Sequence, residues 1–505
     1  MNFLRPETTY YDKNRILTHK GDYLFIEEKI SAKKTMHREN VMTLIVLVGF
    51  FSILGLSVFI LFGIMSAWIM LFSIVLFFYL SSLIFKLFLI IASFILPVPS
   101  PTKNDIAELK DEDLPPYTIL VPMYNEGELI LSFIEYFKTI DYPKDKLDVR
   151  ILLEEDDAIA WSIIKDRQFE RQFSFVKIPK VGPRTKPKAL NVGIIDDESE
   201  ILTIYDAEDR PETNQLKKIA WSFKNLPKDV VCIQAKLTFY NANENLLTKW
   251  FFAEYHSWFN HFLPALFSLS LPIPLGGTSN HFKTSALKEI GGWDPYNVTE
   301  DADLGIRISR LGYKISMVDT TSVRLSTTDS GTGKSIAVID SPTYEEANTN
   351  LKNWMRQRIR WIKGYLQTSF VHLREPFSTM KDLSFNGFFS FFFFLLGTPI
   401  GHIINLFAWI VTILWLINRD IIPAGIPDIL LFGGWLSFVA GNILFISIHF
   451  FPAVAARRWK IAIAALLTPI YWLLMSIATL FALKDLIIRP HHWNKTKHGL
   501  SKSFF

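Results

Sequence analysis

Val41 to Ile64 is a run of 24 residues without a charge, long enough as a helix to cross a hydrocarbon core about 30 Å thick. Lipid offers an open backbone no hydrogen-bond partner, so a run of this kind is confined to a helix or a closed barrel. A second run, Met65 to Pro97, carries Lys86 as its one charge and is long enough for a tilted span. The link between them is a few residues, so 41–98 reads as a transmembrane hairpin. Residues 1–40 and the segment after residue 98 then face the same side. Lys13, Arg15, Lys20, Lys29, Lys33, Lys34 and Arg38 precede the first span, and the positive-inside rule puts that side in the cytoplasm. Residues 1–40 lack the charged, apolar and small-residue sequence of a cleavable signal, so none is expected there.

Residues 386–484 form a second apolar block that divides less cleanly. Asn386 to Ile417 is interrupted by Gly397-Thr398-Pro399, and Pro427 to Phe450 and Ile461 to Leu483 read as further spans. The basic link Arg457-Arg458-Trp459-Lys460 and the basic tail, 485–505, should both be cytoplasmic. Those two assignments conflict if Ile461–Leu483 crosses once. Either 386–417 is a half-crossing plus a span, or one apolar segment lies in the interface.

Between the apolar blocks, 99–385 reads as a cytoplasmic α/β domain with dispersed charge. A net charge of +4 is too small to argue for nucleic acid, and Cys232, the sole cysteine, excludes an intrachain disulfide or a thiolate metal cluster. Tyr117–Met123 is an apolar run of strand length that ends at Tyr124-Asn125-Glu126. A helical pattern follows, Leu129 to Phe137. Asp148 to Leu153 ends in Glu154-Glu155-Asp156-Asp157, and Glu200 to Tyr205 ends in Asp206-Ala207-Glu208-Asp209. Strands alternating with helices predict a mostly parallel sheet with helices on both faces. Ligands bind such sheets beyond the carboxyl ends of the strands, where these polar and acidic corners fall.

Asp206 and Glu208 are hard oxygen ligands on a strand-to-loop corner, suited to Mg²⁺ or Mn²⁺ held together with a substrate diphosphate. An isolated acidic turn is otherwise a solvated loop. Thr299-Glu300-Asp301 precedes a pattern in which Leu304, Ile308 and Leu311 share one helical face, and Gly312 stands where a left-handed C-terminal residue is wanted. On the simplest reading Thr299 caps the helix and the acids complement its dipole. On the functional reading Asp301 is a general base. Gln357, Arg360 and Trp361 share part of another helix. There the Arg would hold phosphate and the Trp would stack on a sugar ring, although both residue types also favour a membrane boundary.

Taken in order, Tyr124-Asn125-Glu126, Asp206-x-Glu208, Thr299-Glu300-Asp301 and Gln357-x-x-Arg360-Trp361 resemble the processive family 2 glycosyltransferases, the cellulose-synthase-like membrane enzymes. The likeness covers roughly residues 40 to 500 and implies a GT-A-like domain joined to an α-helical transmembrane bundle. It implies that Tyr124 stacks on the nucleotide base, with Glu126 beside it in the same motif. Glu155 or Asp156 would contact uridine, and Lys188 would lie in the segment near the diphosphate. Asp206 and Glu208 would hold the metal, and Asp301, next to Glu300, would be the base. Gln357, Arg360 and Trp361 would bind the diphosphate and the acceptor. Trp493, Lys495 and Thr496 fall where related enzymes carry a gating loop, with lipid anchoring of the basic tail as the competing account. Two departures stand out: Glu208 replaces the usual second aspartate, and the first acidic run reads Glu-Glu-Asp-Asp. The loop 320–341 is longer than the family norm.

The resemblance implies an inverting, metal-dependent hexosyltransferase that takes a nucleotide-diphosphate sugar, extends a β-linked glycan and exports it through its own spans in a plasma (inner) membrane. UDP-glucose is the expected donor, with UDP-N-acetylglucosamine and GDP-mannose open. Accessory export proteins are compatible partners beside the donor, the glycan acceptor and the bilayer. Single transfer to a polyprenyl phosphate is the alternative within enzymes, and a non-catalytic transporter or scaffold the alternative outside them.

Overall fold

The computed structural model describes residues 31–35, 38–96, 101, 103–180, 182–317, 341–418, 426–493 and 501. A seven-stranded sheet orders them around the strand that opens the soluble domain. Its strands are β1 (Tyr117–Met123), β2 (Leu147–Glu154), β3 (Phe173–Ile178), β4 (Ile201–Ile204), β6 (Val230–Gln234), β8 (Asn280–Lys283) and β9 (Lys314–Met317), in the spatial order β3-β2-β1-β4-β8-β6-β9. The β1/β2, β2/β3, β1/β4 and β6/β9 pairs are parallel, and β8 enters antiparallel between β4 and β6. A three-stranded sheet joins β5 (Arg210–Pro211), β10 (Pro342–Glu345) and β7 (Lys236–Phe239).

The alternation of side chains along a strand explains why both sheet faces are covered. Ile119, Val121 and Met123 of β1 join Val149, Ile151 and Leu153 of β2 in one core with Phe133 and Phe137. Leu120 and Leu152 point the other way, into a core with Leu190, Phe282 and Trp293. That second core also takes in Leu89 and Ala92 from the first membrane region, so the sheet packs directly against the spans. Each fully buried Phe or Leu contributes about 1.5–3 kcal/mol of burial.

Four helices among the described residues are long and apolar enough to cross a membrane: Met65–Ile95, Pro376–Ile417, Asp428–Ala455 and Thr468–Ile488. The chain is helical on both sides of Gly63, whose φ of 82° breaks the Arg38–Ile95 run where the sequence places the hairpin link. Thr468–Ile488 is the most buried of the four, and both of its ends are bonded to the soluble domain. Near its start Tyr471 Oη donates to Glu254 (2.6 Å), and near its end Lys363 Nζ donates to Asp485 (2.7 Å). Arg458 of the basic link lies over the Phe252 ring at 5.8 Å. Arg458 of the link and the described start of the tail, through Arg489 and His491, both lie against the soluble domain.

Candidate active site

The Thr299-Glu300-Asp301 corner begins the helix Glu300–Arg310. Asp303 and Arg307 fix that helix by an i,i+4 ion pair (2.8 Å), while His372 Nε2 meets the other Asp303 oxygen at 3.1 Å. Burial works against the Asp303 charge, yet Arg307 and His372 outweigh it and hold the carboxyl below its usual range. Leu304 and Ile308 are buried as the periodicity predicts, but Leu311 is exposed because it follows the last helical residue. Gly312 takes the left-handed conformation at φ 82°.

Thr299 does not cap the helix with its side chain. Its Oγ1 is buried without a partner, on a cavity wall. The threonine packs instead on Gly364 of the Leu351–His372 helix, where any Cβ would collide with it. This close approach sets the two motif-bearing helices against each other.

Tyr124, Glu126, Asp206, Glu208, Glu300, Asp301, Gln357, Arg360, Trp361 and Trp493 all line a single cavity of about 700 Å³. The cavity opens beyond the carboxyl ends of β1, β2 and β4, as a doubly covered parallel sheet requires. It continues between the membrane helices past Phe394, His402, Phe445 and Trp472. At the corner after β4 Lys186 Nζ hydrogen-bonds Asp206 and donates to the Gly277 carbonyl (2.7 Å). Burial opposes the Lys186 charge, but Asp206 and Glu300 outweigh it and raise its pKa. Asp209 supports the corner from inside, accepting from Asp206 N–H (2.7 Å) and from Thr278 Oγ1. Glu345 at the end of β10 joins the same wall. Burial, followed by Asp209, Asp206 and Glu208, raises its pKa well above the ordinary value.

The donor set fits a shared cation. Among the described residues no three His, Cys, Asp or Glu side chains converge to hold a metal unaided. One or two carboxylates completed by phosphate oxygens is how Mg²⁺ is commonly held. The crowding of Asp206, Glu208, Asp209 and Glu345 concentrates negative charge that Lys186, Arg210 and Arg360 offset in part and a bound cation would offset further.

Asp301 Oδ1 accepts from Ala302 N–H at 2.8 Å. Burial raises the Asp301 pKa, with Lys186 and Arg360 acting against the shift. Burial, and then the Asp301 charge, pushes Glu300 up in the same way. Arg360 reaches the Val298 carbonyl at 3.5 Å and stacks on Trp493 (4.6 Å), while its Nε is buried with no partner. Gln357 accepts from Asn348 (2.9 Å), and Trp361 lies at 28° to the Tyr255 ring.

Three residues expected from the resemblance lie off the wall. Glu155 is exposed and accepts from Lys180 N–H (3.2 Å), and Asp156 pairs with Arg184 (2.6 Å). Glu154, the last residue of β2, is the acid of that run on the cavity. Lys188 is buried, and its amine donates to the Pro179 carbonyl, bracing the loop whose Arg184 and Lys186 do line the cavity. Lys186 stands two residues from the expected lysine, so a helical-register argument could have found it. Glu345 left no comparable signal, because a small sheet brings it from far along the chain. Lys495, Thr496 and the loop 320–341, apart from Ser341, lie outside the described residues.

Residues 201–483 match the family described as Glycosyl transferase family group 2. The chain is 25% identical over 327 residues to the probable glycosyltransferase YdaM of Bacillus subtilis (strain 168), covering 61% of this chain and 72% of that protein. It is 30% identical over 222 residues to the probable glucomannan 4-beta-mannosyltransferase 7 of Oryza sativa subsp. japonica, covering 42% of this chain and 37% of that enzyme. A mannosyltransferase from Pyrobaculum calidifontis, solved in complex with GDP-Man and Mn²⁺, superposes with a TM-score of 0.48 at 16% identity, covering 83% of this chain and 99% of that one. With more than half of its length matched and its motif residues gathered on one cavity, the chain belongs to glycosyl transferase family group 2 and is a membrane hexosyltransferase.

Proposed function

We propose that this enzyme is an inverting, metal-dependent transferase that extends a β-linked polysaccharide and passes the growing chain along its own membrane helices. One observation carries the reading: the cavity that holds Asp206 and Asp301 is continuous with the one bounded by Phe394, Phe445 and Trp472 on the spans. A polyprenyl phosphate acceptor would enter by the same passage, so the length of the product separates the two readings.

Asp206 and Glu208 would hold Mg²⁺ or Mn²⁺, which supplies charge neutralisation to the leaving diphosphate. Asp301 takes the proton of the acceptor hydroxyl. Its raised proton affinity suits a base working near neutral pH. Arg360 lines the cavity with its Nε–H unpaired and would serve as a donor for the diphosphate. Trp361, backed by Tyr255 and Phe251, gives a rigid face on which a sugar ring stacks. Trp493 over Arg360 puts the start of the tail at the donor end, which supports a gating role for that strip.

The donor is a hexose nucleotide. The cellulose-synthase-like motifs favour UDP-glucose, and the names of the plant relatives, glucomannan mannosyltransferases, favour a mannose nucleotide. The active site is read as cytoplasmic in an inner membrane. A donor screen on purified protein, with the product sized, tests the whole reading: polymer supports it, and a single sugar on a polyprenyl phosphate overturns it.

A further inference from the structure

We propose that the membrane half of the cavity is a subsite for an acidic sugar unit, with Lys86 as its counter-charge. The inference rests on the reading above, in which a glycan occupies this passage, and it adds a uronic-acid nucleotide to the neutral hexose donors named there. Lys86 lies nine residues before the end of the Met65–Ile95 span, roughly 13 Å along the helix from the end that meets the soluble domain. It lines the cavity, and its ammonium sits 5.1 Å from the centroid of the Phe445 ring. Among the described residues it forms no ion pair and no hydrogen bond. Ionisable side chains within a span are costly and usually mark a ligand path or a paired charge.

The surrounding wall is built for a ring with polar substituents. Phe445 stacks near Trp472 at 4.7 Å between centroids, and Trp472 near His402 at 5.1 Å. His402 Nδ1 is engaged by Thr479 (3.0 Å), which leaves its Nε2 buried without a partner, and Trp472 Nε1 is in the same condition. An isoprenoid tail would leave both nitrogens unpaired, whereas sugar hydroxyls would satisfy them. Hydroxyls alone would still leave the ammonium without an opposite charge. The carboxylates Asp206, Glu208, Glu300 and Asp301 belong to the donor end, and Glu254, also on the wall, is already paired with Arg358 and Tyr471. The missing negative charge therefore comes from the ligand, as a carboxylate on the passing sugar.

The test uses the full chain in nanodiscs of neutral phosphatidylcholine. Binding of tetragalacturonate is compared with binding of the same tetramer after carboxyl reduction, for the wild type, Lys86→Gln and Lys86→Arg. A parallel arm compares farnesyl phosphate with farnesol. Wild type is expected to prefer the acidic tetramer by roughly tenfold or more, since a bond to a charged group is at stake. Lys86→Gln should lose the preference and Lys86→Arg should keep it. Equal binding of the two tetramers by wild type overturns the inference. So does a preference that survives in Lys86→Gln, or a charge preference confined to farnesyl phosphate, which would make the site a lipid-phosphate site. The polymer reading fails separately, if product sizing with the wild type gives only a single-sugar glycolipid.

Discussion

Replacing Asp301 by Asn removes a negative charge while keeping the shape of the side chain. The amide oxygen can still accept from Ala302 N–H, the hydrogen bond that holds Asp301 Oδ1 at 2.8 Å, so the helix start should survive. What disappears is the group able to take a proton from the acceptor. Losing a general base typically costs a factor of about 10² to 10⁴ in turnover. Donor binding should change little, because Asp206, Glu208 and Arg360 are untouched. The pH profile carries an independent signature. Burial raises the Asp301 pKa, so the basic form is populated above that raised value. Wild-type turnover is therefore lost as pH falls through it, higher than an ordinary aspartate would titrate. The residual activity of the Asn variant should lack this acid limb. Nucleotide release at saturating donor, across pH, with donor affinity measured separately, is the assay. Turnover within a few-fold of wild type, or an acid limb that persists, would refute the assignment of Asp301 as the base.

Asp206→Ala is expected to abolish metal-dependent donor binding. Donor titrations with and without Mg²⁺ or Mn²⁺ check this, and an unchanged metal response would place the cation elsewhere. Arg358 makes a bidentate pair with Glu254 (2.8 and 2.6 Å), which also accepts from Tyr471. Arg358→Met leaves that carboxylate half-paired, at a cost of about 3–5 kcal/mol. Thermal unfolding in detergent should show the loss, and adding Glu254→Gln should recover part of it. Trp493→Ala removes the ring stacked on Arg360 and should lower turnover sharply at matched expression and normal membrane insertion. Wild-type activity in detergent free of anionic lipid would instead make the tail a lipid anchor.

Much of the architecture is legible because it rests on local periodicity. Tyr117–Met123 has the predicted bounds, and the two neighbouring strands differ by a residue or two at their ends. The long apolar helices follow from run length, except that the expected span Ile461–Leu483 divides into Trp459–Ala465 and Thr468–Ile488, where Pro469 opens a new helix. The antiparallel insertion of β8 is not legible, since no local pattern in Asn280–Lys283 says which strands will flank it. The site divides along the same line. Motif acids that end a strand or open a helix fall on the cavity, because the fold rule that places them is local. Glu155, Asp156 and Lys188 fail it by one or two residues, since facing in β2 and in the Lys186–Gly193 helix changes with every step. The course of Thr468–Ile488 depends on Tyr471–Glu254 and Lys363–Asp485, contacts between residues more than a hundred positions apart.

Asp294, a few residues ahead of the Thr299-Glu300-Asp301 corner, accepts from Ser31 Oγ (3.0 Å) and from Ala32 N–H (2.6 Å). Two residues later the Tyr296 carbonyl meets His491 Nδ1 at 3.0 Å, and Gln367 donates to the Pro490 carbonyl (2.9 Å). Segments that flank opposite ends of the membrane region thus close like a clasp on the loop that leads into the Asp301 helix. Catalysis and bilayer are linked through it. A solvent that loosens the spans pulls on the clasp, so turnover should fall in harsh detergent while the seven-stranded sheet is still intact. Loss of activity on extraction then reports the state of the lipid-embedded helices, and returning lipid should restore it without any refolding of the soluble domain.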